Sequence, residues 1–219
     1  MIFPPDVIAH LDRRRVAAHA INASKYPLPT DGDGFTDQLV SRAEAKFAAL
    51  LPWLVKEAGG ITSVLDIGCG LALMDVLLWQ TMGSGYPRIF HLLDGDGTQA
   101  PRDGFHQDTE AWADVNLGVK MLMANCGSSI KVFGHHASPS LVIEPVDLIW
   151  SFRAWGHHFP ISVYIELVKR SLKRGGLVIT DIRLGTDGVD VMQANGFKVV
   201  GNKIDDTSKK CQRLVFTHR

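Results

Sequence analysis

The chain has 219 residues, of which 46% are hydrophobic, and its 23 basic residues balance its 23 acidic ones. This length and apolar content suffice for a domain with a sizeable core and exclude an extensively disordered chain. The zero net charge argues against a nucleic-acid partner or a membrane surface, because no global field attracts a polyanion.

The first 59 residues predict a helical extension. Residues 6–22 and 36–58 are expected to form two helices, separated by a stretch rich in helix breakers at 26–34. An apolar stripe in the second helix comprises Leu39, Ala43, Phe47, Leu50, Leu51 and Leu54. We therefore divide the chain into an N-terminal extension or cap, residues 1–59, and a main domain, residues 60–219.

The main domain alternates strands and helices, which predicts a parallel sheet with helices on both faces. We expect strands at 62–67, 88–94, 129–133, 146–151 and 177–181, and helices at 72–82, 114–126, 160–173 and 186–194. Two last strands, at 197–204 and 213–217, are joined by a loop too short for a parallel crossover, so we expect them to be antiparallel. A polar connector over 95–113 is long for a compact domain and is either functional, a lid or poorly ordered.

The compartment follows from the cysteines and the first residues. Only three cysteines occur, far apart in the sequence, which indicates a reducing compartment without a disulfide framework. Residues 1–6 lack a basic segment followed by an apolar core, and no run approaches the roughly 20 apolar residues of a membrane helix. We expect a cytoplasmic protein.

The most informative stretch covers residues 64–72. It predicts a short apolar strand that enters a tight turn with Gly68 and Gly70, with Asp66 two positions before the first glycine and a helix afterwards. Glycine permits positive φ and lets a ligand lie against the main chain. Open α/β sheets bind ligands at the carboxyl ends of their strands. A carboxylate at that opening suits a polar, cationic or hydroxyl-rich ligand better than a bare pyrophosphate.

This pattern resembles motif I of the class I S-adenosylmethionine-dependent methyltransferases, although Leu71 stands where that family often has a third glycine. The resemblance covers residues 60–219 and implies a Rossmann-like, doubly wound, mostly parallel seven-stranded sheet that ends in an antiparallel pair. It also implies S-adenosylmethionine as the cofactor. The implied cofactor-binding residues are Asp66, Gly68, Cys69, Gly70, Leu71, Asp94, Gly95, His135, His136, Ser151 and Phe152. A dinucleotide-binding enzyme would need glycine at position 73, where Leu73 stands.

Three of these residues, Asp94, His135 and His136, have implied roles in binding the adenosine part of the cofactor. Asp94 closes the second predicted strand, where the family's acidic residue accepts hydrogen bonds from the ribose hydroxyls, and a carboxylate can take both. Dinucleotide enzymes also place an acid there, and Asp96 is a nearby alternative. His135 and His136 follow the third predicted strand, where adenine contacts fall in the family, although a surface loop explains two adjacent histidines equally well.

The loop at 151–160 supplies the candidate catalytic residues. Phe152 and Trp155 offer aromatic faces that favour a nearby sulfonium. His157 or His158 suits a general base for a hydroxyl acceptor, and Arg153 suits an anchor for a carboxylate or phosphate on that acceptor. The competing interpretation is a packed loop with surface histidines. We predict no metal site, because adjacent histidine side chains diverge.

Further residues are weaker candidates at the same edge of the sheet. Asp181 and Arg183 end the fifth predicted strand and either contact the acceptor or, more simply, pair with each other or with solvent. In the N-terminal extension, the stretch 24–26 and Phe35 are candidates to cover the site.

The sequence therefore predicts a methyltransferase with a small-molecule acceptor, and the residues at 151–160 resemble loops of bacterial sugar or natural-product O-methyltransferases. Two alternatives stay open: an inactive methyltransferase-fold binding module, for which Leu71 is the only support, and an NAD-dependent oxidoreductase. Nucleic-acid base N-methylation is disfavoured, since the Asn/Asp-Pro-Pro-aromatic pattern is missing after the fourth predicted strand.

Overall fold

The computed structural model describes residues 1–21, 33–57, 60–83, 87–95, 113–200 and 210–218. The stretch 24–26, Asp96 and most of the connector at 95–113 lie outside the described residues, so the expectations for them stay expectations.

A seven-stranded sheet forms the centre of the described structure, with the order β3-β2-β1-β4-β5-β7-β6. The strands are β1 (Ser63–Ile67), β2 (Ile89–Asp94), β3 (Lys131–His136), β4 (Val146–Ser151), β5 (Leu172–Arg183), β6 (Phe197–Val199) and β7 (Cys211–His218). The first five strands pair in parallel, whereas β7 is antiparallel to both β5 and β6. The predicted mostly parallel sheet with a C-terminal antiparallel pair is confirmed.

Helices cover both faces of the sheet. They are α1 (Pro5–Ile21), α2 (Asp33–Glu57), α3 (Leu73–Met82), α4 (Val115–Cys126), α5 (Ile165–Ser171) and α6 (Gly188–Ala194). Strand side chains alternate between the faces: Val64 and Phe90 pack with α2, α3 and α4, whereas Leu65 and Leu93 pack with α5 and α6. Asp114 begins α4 as predicted, because its side chain accepts from Asn116 N.

The prediction for residues 172–176 is wrong. The sequence predicts a helix to 173 that ends at a glycine pair, but α5 ends at Ser171 and β5 already begins at Leu172. Leu172 pairs with Val146, and a Cβ at Gly176 would lie 2.8 Å from Asp147 O, so this glycine lets β4 approach closely. Tertiary strand pairing therefore overrides the local helix-stop signal.

The third strand is also longer than predicted. The sequence places its end at 133, whereas β3 pairs with β2 as far as the partners Asp94 and His136. Gly134 fits inside this strand because a Cβ there would lie 3.0 Å from Val119 on α4. His135 and His136 are thus the last two strand residues rather than part of a loop. The predicted second half of β6 lies outside the described residues.

The N-terminal extension packs against the main domain near the carboxyl edge of the sheet. Val7 and Leu11 of α1 are buried in one cluster with Leu71, Leu117 and Met121. Beside this cluster, Asp6 pairs with Lys120 and the Asn125 side chain hydrogen-bonds both Ile2 N and Ile2 O. The division of the chain into residues 1–59 and 60–219 stays a prediction.

The strand order indicates where at the carboxyl edge of the sheet a ligand is expected to bind. The strand order reverses at β1, because β2 and β3 lie on one side of it and β4 on the other. Ligands of open α/β sheets bind at such a switch point, and both the Gly68–Gly70 turn and the loop at 151–160 begin there. Among the described residues, no helix combines the length and apolar character that a membrane crossing requires.

Candidate active site

The turn after β1 requires glycine for two reasons. Gly68 and Gly70 have φ of 75° and 54°, and Ala72 follows with φ 53°. Gly68 N and Cys69 N both donate to Leu93 O, at 2.7 and 3.2 Å, which ties the turn to the end of β2. A Cβ at position 68 would lie 2.2 Å from the Cβ of Ala154, so the loop after β4 rests directly on this glycine.

Asp94 supports the turn from β2. Its Oδ2 accepts from Gly70 N at 2.7 Å and its Oδ1 accepts from Gly95 N at 2.9 Å. Burial raises the pKa of Asp94 to about 6, although the two backbone donors favour the charged form. Each carboxylate oxygen keeps a further lone pair, so this side chain can still accept from two neighbouring hydroxyls.

Asp66 is buried beneath the turn, and the structure adds a second carboxyl that the sequence analysis missed. Asp75, near the start of α3, is fully buried, while Asp66 is 3% exposed. Trp150 of β4 is the register partner of Asp66 and lies on the same face of the sheet. Burial, and then the charge of Asp75, raise the pKa of Asp66 well above its usual range. The sequence signal that could have indicated Asp75 is an acidic residue within an otherwise apolar stretch of helix α3.

Cys69 lies inside the turn as a neutral thiol. It is buried, and burial together with the charge of Asp94 raises its pKa well above the usual range. Gly118 of α4, which the sequence analysis missed, lets the helix approach: a Cβ there would lie 3.0 Å from Gly70 O and 3.3 Å from Cys69 Sγ. Helix α4 therefore packs directly against the backbone of the turn and the Cys69 side chain.

Leu71 packs away from the sheet into the α1 cluster. Its side chain is 4% exposed and belongs to the same buried group as Val7 and Leu11 of α1 and Leu117 and Met121 of α4. The residue that replaces the third glycine of the motif thus anchors the N-terminal helix. Phe35 and Leu39, at the start of α2, pack against the same cluster.

The two histidines at the end of β3 face opposite sides of the sheet. His136 is the register partner of Asp94 and shares its face, whereas His135 lies on the face of Leu93 and His91. His135 Nε2 is 3.0 Å from His91 Nδ1. Burial lowers the pKa of His135, and burial followed by the charge of His135 lowers the pKa of His91 to about 4, so this pair is neutral near pH 7. The register favours His136 for the predicted adenine side.

The loop at 151–160 is fixed by its own hydrogen bonds. The fully buried Ser151 donates to Ile67 O at 2.6 Å and accepts from Trp155 N at 2.9 Å. Trp155 is fully buried and donates from Nε1 to Ile161 O. Trp155 is therefore a core residue, and the Ser151 hydroxyl is engaged in the scaffold, which leaves its main chain for the predicted cofactor contact. Phe152 is only partly buried and stays an aromatic candidate.

Asp181 pairs with Arg213, which is not among the partners that the sequence analysis considers. Its carboxylate accepts from Arg213 Nε at 2.8 Å and from Arg213 Nη2 at 3.0 Å, rather than from Arg183. Its Oδ2 also accepts from Arg153 N at 3.2 Å. The Arg213 guanidinium carbon lies 4.8 Å from the centre of the Phe152 ring, so this buried pair supports the loop from behind.

The predicted catalytic residues, Arg153, His157 and His158, lie in the middle of this loop, and none of them is fully exposed. Arg153 has φ 59°, a left-handed conformation that is costly for a residue with a side chain. Ala154 O accepts the backbone N–H groups of His157 and His158 at 3.1 and 2.8 Å, and the two imidazoles meet edge to face with centroids 4.8 Å apart. His157 is buried, whereas His158 is half-buried. Their catalytic roles stay predictions.

No metal centre is apparent in the part of the chain that the structure describes, where no group of three or more His, Cys, Asp or Glu side chains is placed to hold an ion.

Comparison with known proteins rests on structure. No family model matches the sequence, and no curated protein matches it. Magnesium protoporphyrin IX methyltransferase (ChlM) from Synechocystis PCC 6803, solved with bound S-adenosylmethionine, is similar at a TM-score of 0.61 and 13% identity, covering 95% of this chain and 91% of that one.

Two further structures agree. An S-adenosylmethionine-dependent methyltransferase from Clostridium acetobutylicum ATCC 824 aligns at a TM-score of 0.53 and 10% identity, covering 80% of this chain and 92% of that one. The S-adenosylmethionine-dependent methyltransferase SibL, in its apo form, aligns at a TM-score of 0.57 and 14% identity, covering 87% of this chain and 60% of that one. The chain therefore has the class I S-adenosylmethionine-dependent methyltransferase fold, as its motif predicts.

Proposed function

We propose that this chain is an S-adenosylmethionine-dependent methyltransferase that acts on a hydroxyl group of a small molecule, such as a sugar or natural product. One observation carries the proposal. The glycine turn at the topological switch point is bonded to the buried carboxylate of Asp94, and the buried Asp66 lies beneath the same turn.

The residues present fit this cofactor. The remaining lone pairs of Asp94 suit the two hydroxyls of a ribose, and Asp66 supplies an acidic group for the ammonium of the amino acid end. The Gly68–Gly70 turn offers main chain without side chains at the point of closest approach. His136, on the face of Asp94, is the candidate for the adenine side. Bound there, the cofactor would supply a methyl group activated on a sulfonium.

The chain contributes positioning around the reacting atoms. The partly buried ring of Phe152 suits a neighbouring sulfonium, an interaction of roughly 0.5–2 kcal/mol according to its desolvation. Holding an acceptor in line and excluding water supplies up to about 7–11 kcal/mol in the best intramolecular models. Asp181 and Arg213 contribute to this positioning indirectly. Arg213 lies over the Phe152 ring, and Asp181 accepts the backbone N–H of Arg153.

The hydroxyl acceptor is inferred from the histidines. An imidazole nitrogen of His157 or His158 is suited to take the hydroxyl proton as the oxygen attacks, and the half-buried His158 is the more accessible of the two. Arg153, on the same loop, is the candidate to hold a carboxylate or phosphate of the acceptor. The absence of net charge and the small-molecule acceptor in the name of ChlM support a small molecule over a nucleic acid.

Calorimetry with S-adenosylhomocysteine tests the cofactor assignment. We expect the wild-type chain and the control Asp190→Ala, a substitution on the exposed side of α6, to bind with measurable heat. Asp94→Ala should bind weakly or not at all. A wild-type chain that gives neither heat nor a thermal shift would overturn the proposal, and a change in nicotinamide fluorescence on adding NADH would favour an oxidoreductase instead.

A further inference from the structure

Several buried polar atoms beneath the glycine turn make no hydrogen bond within the described structure. They are Asp66 Oδ1, both carboxyl oxygens of Asp75 and Nε1 of Trp150. Most buried side-chain polar atoms in proteins have a partner, so a group of orphans in one place needs a physical explanation. Each buried donor or acceptor that is left without a hydrogen bond destabilises the fold by about 1–3 kcal/mol.

These atoms belong to one cluster on three elements. Asp66 and Trp150 are register partners on β1 and β4, and Asp75 projects from the start of α3, which covers that face. Trp150 and the two carboxyls lie near enough to affect the pKa of both acids, although no hydrogen bond of normal length joins Trp150 Nε1 or Asp75 to the others. Trp150 and Asp75 are fully shut off from solvent. An unpaired donor therefore faces two unpaired acids in the interior.

The surroundings cannot support two negative charges. Beyond the effect of burial, the charge of Asp94 on β2 also raises the pKa of Asp66, and the charge of Asp75 raises the pKa of Cys69 in the turn and of Cys126 on α4. Among the described residues, the titratable neighbours of the cluster are therefore another carboxyl and two thiols, none of them a cation. Burial raises the pKa of Asp75, and burial with the charge of Asp75 raises that of Asp66. Two adjacent carboxyls in such a site share a proton, as like charges disfavour double ionisation. The shared proton also gives both acids a hydrogen bond.

We propose that Asp75 is a positioning residue for the cofactor, and that Asp66 and Asp75 together hold one proton that leaves when the cofactor's ammonium group binds beside Asp66. The inference rests on the proposed function. Before binding, Asp66 carries the proton and its O–H group donates a hydrogen bond to the Asp75 carboxylate. On binding, the ammonium takes the place of that proton, the proton passes to solvent, and Asp66 becomes a carboxylate. No bond other than the O–H bond is broken.

Two ligands distinguish proton release at Asp66 and Asp75 from binding of the adenosine part of the cofactor. S-adenosylhomocysteine carries the ammonium group, whereas 5′-methylthioadenosine has the same adenosine and no amino acid. Calorimetry at pH 7.5 in buffers of different ionisation enthalpy counts the protons released. We expect close to one proton for S-adenosylhomocysteine and close to none for 5′-methylthioadenosine, since Asp94, with a pKa of about 6, is already ionised at that pH.

The Asp75→Asn variant tests the residue itself. The amide can donate to Asp66, which is then ionised before the ligand arrives, so S-adenosylhomocysteine should bind without proton release and with a flatter pH profile. A purely structural role would lower stability and leave the proton count at one. Asp190→Asn on the remote α6 serves as the matched control and should behave as wild type.

Infrared difference spectroscopy of the wild-type chain provides a test that needs no variant. Adding S-adenosylhomocysteine should remove the carbonyl band of a protonated carboxyl group, whereas 5′-methylthioadenosine should leave it. Binding of S-adenosylhomocysteine without proton release and without loss of that band would overturn the inference while leaving the proposed function intact. No binding of either ligand would overturn the proposed function itself.

Discussion

Arg213 and Asp181 form a two-point ion pair between β7 and β5, with N–O distances of 2.8 and 3.0 Å and both side chains closed to solvent. They are register partners in the antiparallel part of the sheet. The arginine also lies over the Phe152 ring, and the aspartate accepts the backbone N–H of Arg153. The ion pair between the last strand, β7, and its neighbour β5 thus supports the loop that carries the candidate catalytic residues.

Breaking this pair should be costly. We expect Arg213→Met or Asp181→Leu alone to reduce the free energy of unfolding by roughly 3–5 kcal/mol, because each leaves an uncompensated buried charge. The double variant should lose much less than the sum, since no charge then remains. Urea denaturation measures all three. Single variants within about 1 kcal/mol of wild type would contradict the buried pair.

Gly68→Ala should destabilise the Gly68–Gly70 turn. The left-handed backbone costs about 1–2 kcal/mol for a residue with a Cβ, and the clash with Ala154 adds an overpacking cost of about 1–3 kcal/mol. We expect a lower melting temperature and loss of S-adenosylhomocysteine binding. Gly60→Ala is the matched control, because a Cβ there meets nothing within 4 Å and φ is not positive. Equal behaviour of the two variants would show that the turn tolerates a side chain.

Asp94 should make adenosine binding depend on pH. Its pKa is raised to about 6 by burial, so below that pH the protonated carboxyl accepts fewer hydrogen bonds and affinity falls. 5′-Methylthioadenosine isolates this effect, because it lacks the group that would contact Asp66. We expect affinity to decline as pH falls through about 6, and Asp94→Asn to bind about 10- to 150-fold more weakly, matching roughly 1.5–3 kcal/mol. A flat wild-type profile from pH 5 to 8 would refute the assignment.

The same shift has a consequence for stability. The folded-state pKa of Asp94 lies above its ordinary value of 3.8, so ionising this group opposes folding. Its contribution is most favourable at a pH below 3.8 and is lost as pH rises through the folded value of about 6. Asp94→Asn should remove that part of the pH dependence of unfolding, as measured by urea denaturation between pH 4 and 7.

Leu71→Ala tests whether this side chain anchors α1 or blocks the crevice. Removing a buried leucine should cost roughly 2–5 kcal/mol and expose α1 to limited proteolysis, while S-adenosylhomocysteine still binds. Leu184→Ala, at a residue that is 47% exposed, is the control and should be nearly neutral. Binding that appears only in Leu71→Ala and not in wild type would instead support an inactive binding module.

The paired histidines should affect chemistry and not cofactor binding. Once a hydroxylated acceptor is found by screening with labelled S-adenosylmethionine, His158→Ala should lower kcat by about 10²–10⁴-fold. Its affinity for S-adenosylhomocysteine should match wild type. His157→Ala is the comparison, and full activity in the variant with both substitutions would remove the general-base role.

The sequence predicts well what is decided locally. The Gly68–Gly70 turn and the acid at the end of β2 depend on a few neighbouring residues, and both are found where the motif places them. The roles of Asp75 and Gly118 depend on how α3 and α4 approach the turn, so the sequence can mark Asp75 as an unusual acid in an apolar helix but cannot show what either residue faces. For Asp181 the sequence offers only the acceptor, the nearby Arg183 or solvent as partners, whereas the register of β7 brings Arg213 to it from 32 positions away.

Boundary errors have the same origin. The glycines at 175 and 176 are a valid helix-stop signal in isolation, but Gly176 is needed because Asp147 O lies against it. Likewise Gly134 suggests the end of a strand until α4 is placed over it. In both cases a glycine that seems to interrupt an element makes room for a neighbouring one.

The contact between Gly68 and Ala154 has a practical consequence for redesign. The Ala154 methyl group lies directly against Gly68, so a larger side chain at position 154 would displace the Gly68–Gly70 turn. Variants designed to test a wider range of acceptors for the proposed activity should therefore alter the other side of the loop, around Phe152 or the N-terminal helices, and leave Gly68 and Ala154 unchanged.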